Sequence, residues 1–195
     1  MRVSIIVPVF NEQKTIREVL TKLSNLDLGF KELEKEIIIV EGNSRDGTKK
    51  IVESFVNNKN FKLIFEDNPK GKGSAVRKGI NIASGEIILI QDGDLEYDFK
   101  DYPNLLKPIL NKEANFVLGT RHKSLNPFKM RVMNDSPLKA LILNIGHVIL
   151  QKIFNFLYKQ NTTDIFTMYK VFRKECLNDM ILVRDKFDFD MELVC

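Results

Sequence analysis

Short apolar runs alternating with helical patterns constrain this chain more than anything else in it. VSIIVPVF (3–10), EIIIVEG (36–42), KLIFED (62–67), EIILIQD (86–92) and NFVLGTR (115–121) read as strands. Between them apolar residues recur at helical spacing: Ile16, Val19, Leu20 and Leu23, then Ile51, Val52, Phe55 and Val56, then Ala75, Val76, Gly79, Ile80 and Ala83. A further helix is expected around 102–112, with Pro103 in its first turn. Asn11 stands where it can cap the first helix. Strands that are apolar on both faces must be covered on both faces. The pattern therefore predicts a single α/β domain over 1–195, a three-layer sandwich with a mostly parallel central sheet.

In such a sheet ligands sit beyond the carboxyl ends of the strands. Those ends are polar here: Phe10-Asn11-Glu12, Glu41-Gly42-Asn43, Asp67-Asn68 and, after the fourth strand, Asp92, Asp94, Glu96 and Asp98. So many carboxylates in seven residues repel one another and call for a positive partner. Asp92-Gly93-Asp94 sets two of them beside a flexible glycine, where both can face one hard cation. Oxygen ligands of this kind suit Mg²⁺ or Mn²⁺, which in turn hold phosphates. A solvated loop is the plain alternative; the position at the end of a central strand favours the ligand reading.

Two basic stretches supply candidates for anion binding. NPKGKGSAVRKG (68–79) lacks the P-loop pattern, but its glycines allow close backbone approach and Lys72 can reach a phosphate. TRHKSLNPFKMR (120–131) carries Arg121, Lys123, Lys129 and Arg131 with no acid, and His122 as a candidate base. After it, PLKALILNIGHVILQKIFNFLYKQ (137–160) reads as one long amphipathic helix with a narrow polar stripe of Asn144, His147, Gln151 and Asn155. Core packing, a membrane surface and a homodimer contact are all open readings of its wide apolar arc. The stripe argues against a bilayer span, and no window is expected to reach the length of one.

The remaining composition excludes more than it assigns. With 30 Lys and Arg against 26 Asp and Glu, the net charge of +4 is too small to imply nucleic acid. Cys176 and Cys195 form no framework, which suggests a reducing, cytoplasmic setting, and no signal peptide is read at the N-terminus. The closing KFDFDMELVC reads as the middle of an element, so a chain cut short at its C-terminus is expected.

Taken in order, VSIIVPVFNE, VEGNSRDGT, GKGSAVRKGI, QDGDLEYD and TDIFTMYKVFR resemble the family 2 glycosyltransferases of GT-A fold. Within that family the chain is most similar to polyprenyl-phosphate sugar transferases of the dolichol-phosphate mannosyl- and glucosyltransferase kind. The resemblance implies a nucleoside pocket lined by Pro8, Phe10, Glu12 and Glu41 and bordered by Lys72. It implies metal and diphosphate contacts at Asp92, Asp94 and Glu96, acceptor-phosphate contacts at Arg121 and Arg131, a basic residue near the donor diphosphate at Arg173, and an acidic position at Asp164. Where the family usually has Asp-Asp-Gly-Ser, this chain has Glu41-Gly42-Asn43-Ser44, and Gly93 stands where Ala is frequent.

The expected activity is inverting transfer of a sugar from a UDP- or GDP-linked donor, with Mg²⁺ or Mn²⁺ as cofactor. A hydroxyl acceptor would need a base. A lipid phosphate has a second pKa of about 6 and is already ionised, so it needs holding rather than deprotonating. That favours a polyprenyl phosphate met at the inner face of a membrane. Transfer to a saccharide hydroxyl, a nucleotidyltransferase and a catalytically silent binding module are the alternatives.

Overall fold

The computed structural model describes residues 1–120 and 136–195. Arg121, His122, Lys123, Lys129 and Arg131 of the basic loop lie outside the described residues. The strands are β1 (Arg2–Val9), β2 (Glu34–Glu41), β3 (Phe61–Phe65), β4 (Ile87–Ile90), β5 (Phe116–Leu118) and β6 (Lys170–Arg173). The helices are α1 (Ile16–Asn25), α2 (Thr48–Glu53), α3 (Lys72–Ile82), α4 (Tyr102–Leu110), α5 (Pro137–Tyr158) and α6 (Phe189–Glu192).

All five expected strands form, and they join one sheet in the order β3-β2-β1-β4-β6-β5. The addition is β6, which runs antiparallel between β4 and β5. Its four residues, KVFR, are charged at both ends and follow α5 across residues 159–169, so the apolar pattern that marks the other strands gives no signal for it.

Side chains alternate across each strand, and the two faces sort cleanly. Val3, Ile5, Val7 and Val9 face one way with Ile37, Ile39 and Leu89, and pack under α1 and α4. Ile6 faces the other way with Ile38, Val40, Ile88 and Ile90, and packs under α3 and α6. In α1 the residues at helical spacing, Ile16, Val19, Leu20 and Leu23, are all fully buried, each contributing roughly 1.5–3 kcal/mol. Glycine lets α3 lie close on the sheet: a Cβ on Gly79 would meet Ile6 Cγ2 at 2.5 Å. Thr15, not Asn11, is the N-cap residue of α1. Asn11 is in the left-handed region at φ 55°, and its side chain accepts a hydrogen bond from the Arg45 N–H at 2.9 Å.

One pair breaks the apolar pattern. Ser4 and Glu36 are register partners on β1 and β2, and both are buried. Burial pushes the Glu36 carboxyl up, but Lys62, the Ser4 hydroxyl and the Ser84 N–H together hold it down at about 2. The Lys62 ion pair is 2.7 Å and the Ser84 bond 2.6 Å. The folded value lies below the ordinary 4.5, so this stabilisation is full at neutral pH and is lost as pH falls from about 4.5 toward 2. Glu36→Gln is expected to cost about 2 kcal/mol at pH 7. In urea unfolding the gap from the parent chain should narrow at pH 2.5; an equal gap at both pH values would contradict this account.

Helix α5 is built inside out for a soluble domain. Its polar stripe is the buried side: Gln151 donates to the Thr162 carbonyl at 2.9 Å and accepts from the Ile165 N–H at 2.9 Å. Asn155 also donates to the Thr162 carbonyl and accepts from the Thr162 N–H. The apolar arc faces outward, with Leu138 68%, Ile142 62%, Leu157 65% and Phe156 83% exposed. The Leu138–Tyr158 stretch is long and apolar enough to cross a membrane by length and composition, which corrects the expectation that no window reaches that size. Its interrupting polar residues are the ones that tie it to the domain.

Candidate active site

The carboxyl ends of β1, β2, β3 and β4 open onto one cavity of about 520 Å³. From β1 come Pro8, Val9, Phe10 and Glu12; from the end of β2, Gly42; from beyond β3, Glu66 and the Pro69–Lys72 turn; from beyond β4, Asp92, Gly93 and Asp94. Phe187, just before α6, closes one edge. Gly71, at φ 131°, makes the turn into α3, where a Cβ would meet the Asp185 carbonyl at 2.6 Å.

Hydrogen bonds fix the acidic turn. The Gln91 amide donates to the Asp92 carbonyl at 2.9 Å, and its oxygen accepts from the buried Tyr102 hydroxyl at 2.8 Å. The Thr15 hydroxyl lies 2.9 Å from both the Gly93 carbonyl and Glu12 Oε2, so it binds the start of α1 to the turn and orients Glu12. Farther along, the Tyr97 hydroxyl accepts from the Met168 N–H at 2.8 Å. A turn pinned at this many points holds its carboxylates in place without ligand, which is the preorganisation that charge stabilisation needs.

The positive partner of Asp92 is Lys72, whose Nζ lies 2.6 Å from Asp92 Oδ1. Burial pushes the Asp92 carboxyl up; Lys72 pulls it back, and the charges of Asp94 and Asp190 push it up again, leaving it raised. Beneath the turn, Lys170 is fully buried and donates to Asp190 at 3.1 Å and to the Thr167 carbonyl. Burial lowers the Lys170 ammonium despite the Asp190 charge.

Among the described residues, no three His, Cys, Asp or Glu side chains are grouped to hold an ion by themselves. Four carboxylates line the cavity: Glu12 accepts from the Thr15 hydroxyl and Glu66 pairs with Lys78, while Asp92 and Asp94 sit two residues apart on the turn and the charge of Asp94 raises Asp92. Two carboxylates are what Mg²⁺ or Mn²⁺ takes from a protein when substrate phosphates supply further oxygens. The residues therefore fit such an ion, with Glu96 outside the set. Its backbone N–H donates to Asp94 Oδ1 at 3.0 Å, and its side chain borders two neighbouring clefts instead of the cavity.

The other sequence candidates separate. Pro8, Phe10, Glu12 and Lys72 line the cavity as expected. Glu41 does not: it is fully buried, and its two oxygens accept the Asn43 and Ser44 N–H groups at 3.1 and 2.7 Å, so it shapes the loop behind Gly42. Asp164 is buried with Oδ1 3.8 Å from His147 Nε2 of α5, and it is not part of the cavity lining. Arg173 pairs with Ile87, at the opposite end of β4 from the acidic turn, and donates to the Ile109 carbonyl at 2.9 Å. Because β6 runs antiparallel, its first residue, Lys170, is the one opposite Ile90 at the rim. Glu66 and Phe187 of the cavity lining, and the Lys170–Asp190 pair behind it, are residues that sequence reasoning passed over. For Lys170 the sequence offers a lysine at one end of KVFR, with Arg173 at the other.

Comparison with known proteins agrees with this geometry. The sequence is 28% identical to the glycosyltransferase AglJ of Haloferax volcanii over 98% of this chain and 56% of AglJ. It is 37% identical to the dolichol-phosphate mannosyltransferase of Mycosarcoma maydis over 73% of this chain and 48% of that protein. The chain thus spans about half the length of these relatives. Among solved structures, glucosyl-3-phosphoglycerate synthase from Mycobacterium tuberculosis, in complex with Mn²⁺, UDP and phosphoglyceric acid, superposes with a TM-score of 0.65. The identity is 20%, and the match covers 98% of this chain and 62% of that one. That likeness gives the fold, GT-A. The description "Glycosyl transferase family 2" matches residues 4–181, nearly the whole sequence, and the chain belongs to that family.

Proposed function

We propose that this domain transfers a sugar from a UDP- or GDP-linked donor to a polyprenyl phosphate, with inversion at the sugar carbon. The donor lies across the strand ends, its nucleoside against Pro8, Phe10 and Gly42 and its diphosphate toward Lys72, Asp92 and Asp94. Asp92 and Asp94 would hold Mg²⁺ or Mn²⁺, which when bound neutralises charge on the departing nucleoside diphosphate. Lys72 adds a positive charge on the same side, and the pinned turn keeps both carboxylates from moving as the bond breaks.

The observation that carries the acceptor half of this reading is the outward face of α5. Large apolar side chains fill that face, while Lys139, Lys152 and Lys159 are exposed and the helix contains no acid. Such a surface suits lipid whose headgroups are anionic. The acceptor phosphate would be held by Arg121 and Arg131, which are outside the described residues. It needs no base, so the seating of Asp164 against α5 instead of in the cavity is compatible with the reaction.

The test is transfer of labelled sugar from UDP- and GDP-sugars to polyprenyl phosphate in vesicles, beside a soluble saccharide acceptor. Transfer to the lipid is expected and transfer to the saccharide is not. Efficient transfer to the saccharide alone would overturn the acceptor assignment, and donor binding without turnover would mark a silent module. The double substitution Ile142→Glu with Leu157→Glu changes only exposed positions. It is expected to cut use of vesicle-borne acceptor at least tenfold and to leave donor binding unchanged.

A further inference from the structure

We propose that Lys72 is an internal stand-in for the divalent cation, holding Asp92 until a nucleoside diphosphate arrives to take the ammonium over. The inference rests on the reading of this cavity as a nucleotide-sugar site. Lys72 is the first residue of α3, directly after the Gly71 turn, so its side chain leaves the helix into the cavity wall. Its Nζ sits between Asp92 Oδ1 at 2.6 Å and Met168 Sδ at 3.1 Å. The pair is shielded, with side chains 11% and 20% exposed. That separates it from a surface ion pair, which would be worth little.

Charges around the pair decide how an ion can enter. Lys170 is fully buried below, close enough to feel both Lys72 and Asp92, and it is matched by Asp190. A dication that reached Asp92 and Asp94 alone would evict Lys72. The Lys72 ammonium would then lose its 2.6 Å contact with Asp92 and stand shielded beside a dication and the Lys170 ammonium, a repulsion that Glu12 of the cavity lining offsets in part. A diphosphate changes that balance, because it offers Lys72 a new anionic partner and gives the ion further oxygens. Ion and nucleotide therefore load together, and each raises the affinity for the other by the same factor. Until then Lys72 offsets the charge of Asp92 in the ion-free site.

The experiment is titration with Mn²⁺ followed by the electron paramagnetic resonance of free ion, with no nucleotide, with UDP and with GDP. Lys72→Met is expected to take Mn²⁺ alone at least tenfold more tightly than the parent chain. Its affinity for UDP or GDP in the presence of Mn²⁺ should fall at least tenfold. Lys72→Arg, which keeps the charge, should stay near the parent in Mn²⁺ alone. Adding Asp92→Asn to Lys72→Met should erase the gain, which locates the ion. Circular dichroism checks each fold, and Lys72→Gln carries the same comparison should the methionine variant not fold. The proposal is overturned if removing the lysine charge leaves affinity for Mn²⁺ alone unchanged or weaker. Failure of the parent chain to bind UDP or GDP would instead sink the functional reading, and the ion-only comparison would still be read.

Discussion

Replacing Asp94 by alanine is expected to lower kcat/KM for sugar transfer by roughly a thousandfold or more while the domain stays folded. The expectation follows from how differently the two carboxylates of the turn are held. Asp94 faces the cavity, is half-buried, and accepts a hydrogen bond from the Glu96 N–H across a local turn. No ion pair of the described residues depends on it, so its removal should move the melting temperature by only a few degrees. Asp92 is less informative as a first target, because its loss also strands the shielded Lys72 ammonium. The measurement is kcat/KM from initial rates at subsaturating donor, beside a thermal melt. Full activity in Asp94→Ala would refute the role of the acidic pair, whereas lost activity with a collapsed melt would show that the turn is structural. Asp94→Asn keeps the shape and removes the charge, and the same thousandfold loss in that variant would assign the effect to charge.

The largest effect on stability is expected at Asp190. Lys170 is fully buried, and Asp190 is its anionic partner at 3.1 Å. Removing one member of such a pair leaves an uncompensated charge in the interior, at a cost of about 3–5 kcal/mol. For a domain whose total stability is about 5–15 kcal/mol, Asp190→Ala should unfold at markedly lower denaturant, and α6 should lose its docking beneath α3. The double replacement Lys170→Met with Asp190→Leu should recover much of the loss, because a packed apolar pair carries no desolvation penalty. Chemical denaturation of the three variants checks both statements. A single-variant cost below about 1 kcal/mol would mean that the Lys170 charge is matched elsewhere.

Lys170 and Arg173 show what sequence reasoning could not reach and why. The strand pattern was legible because a strand buried on both faces must be apolar at consecutive positions, a local property that five segments display. The acidic turn was legible because four carboxylates in seven residues have no packing explanation. The family resemblance implied Arg173 near the donor diphosphate, and strand direction is not visible in the sequence. The return through α5 makes β6 antiparallel, which sends Lys170 to the rim and Arg173 to the far end. The resemblance implied Glu41 in the nucleoside pocket, but its oxygens are used by the Asn43 and Ser44 N–H groups.

The α5 stripe shows the same limit in another form. Helical period alone revealed two unlike faces and left open which one the domain would cover. Asn144, His147 and Gln151 are buried and the apolar arc is outside, because Thr162, Asp164 and Ile165 return to meet the polar side. The sequence by itself determined the layers, the rim and the acidic turn, since burial on two faces and crowded like charge leave local marks in composition and period. Tertiary structure alone decided which lysine lies under the turn, which cation Asp92 holds and which face of α5 is left exposed. Those outcomes depend on the direction and partner of segments tens of residues apart, which no local pattern encodes.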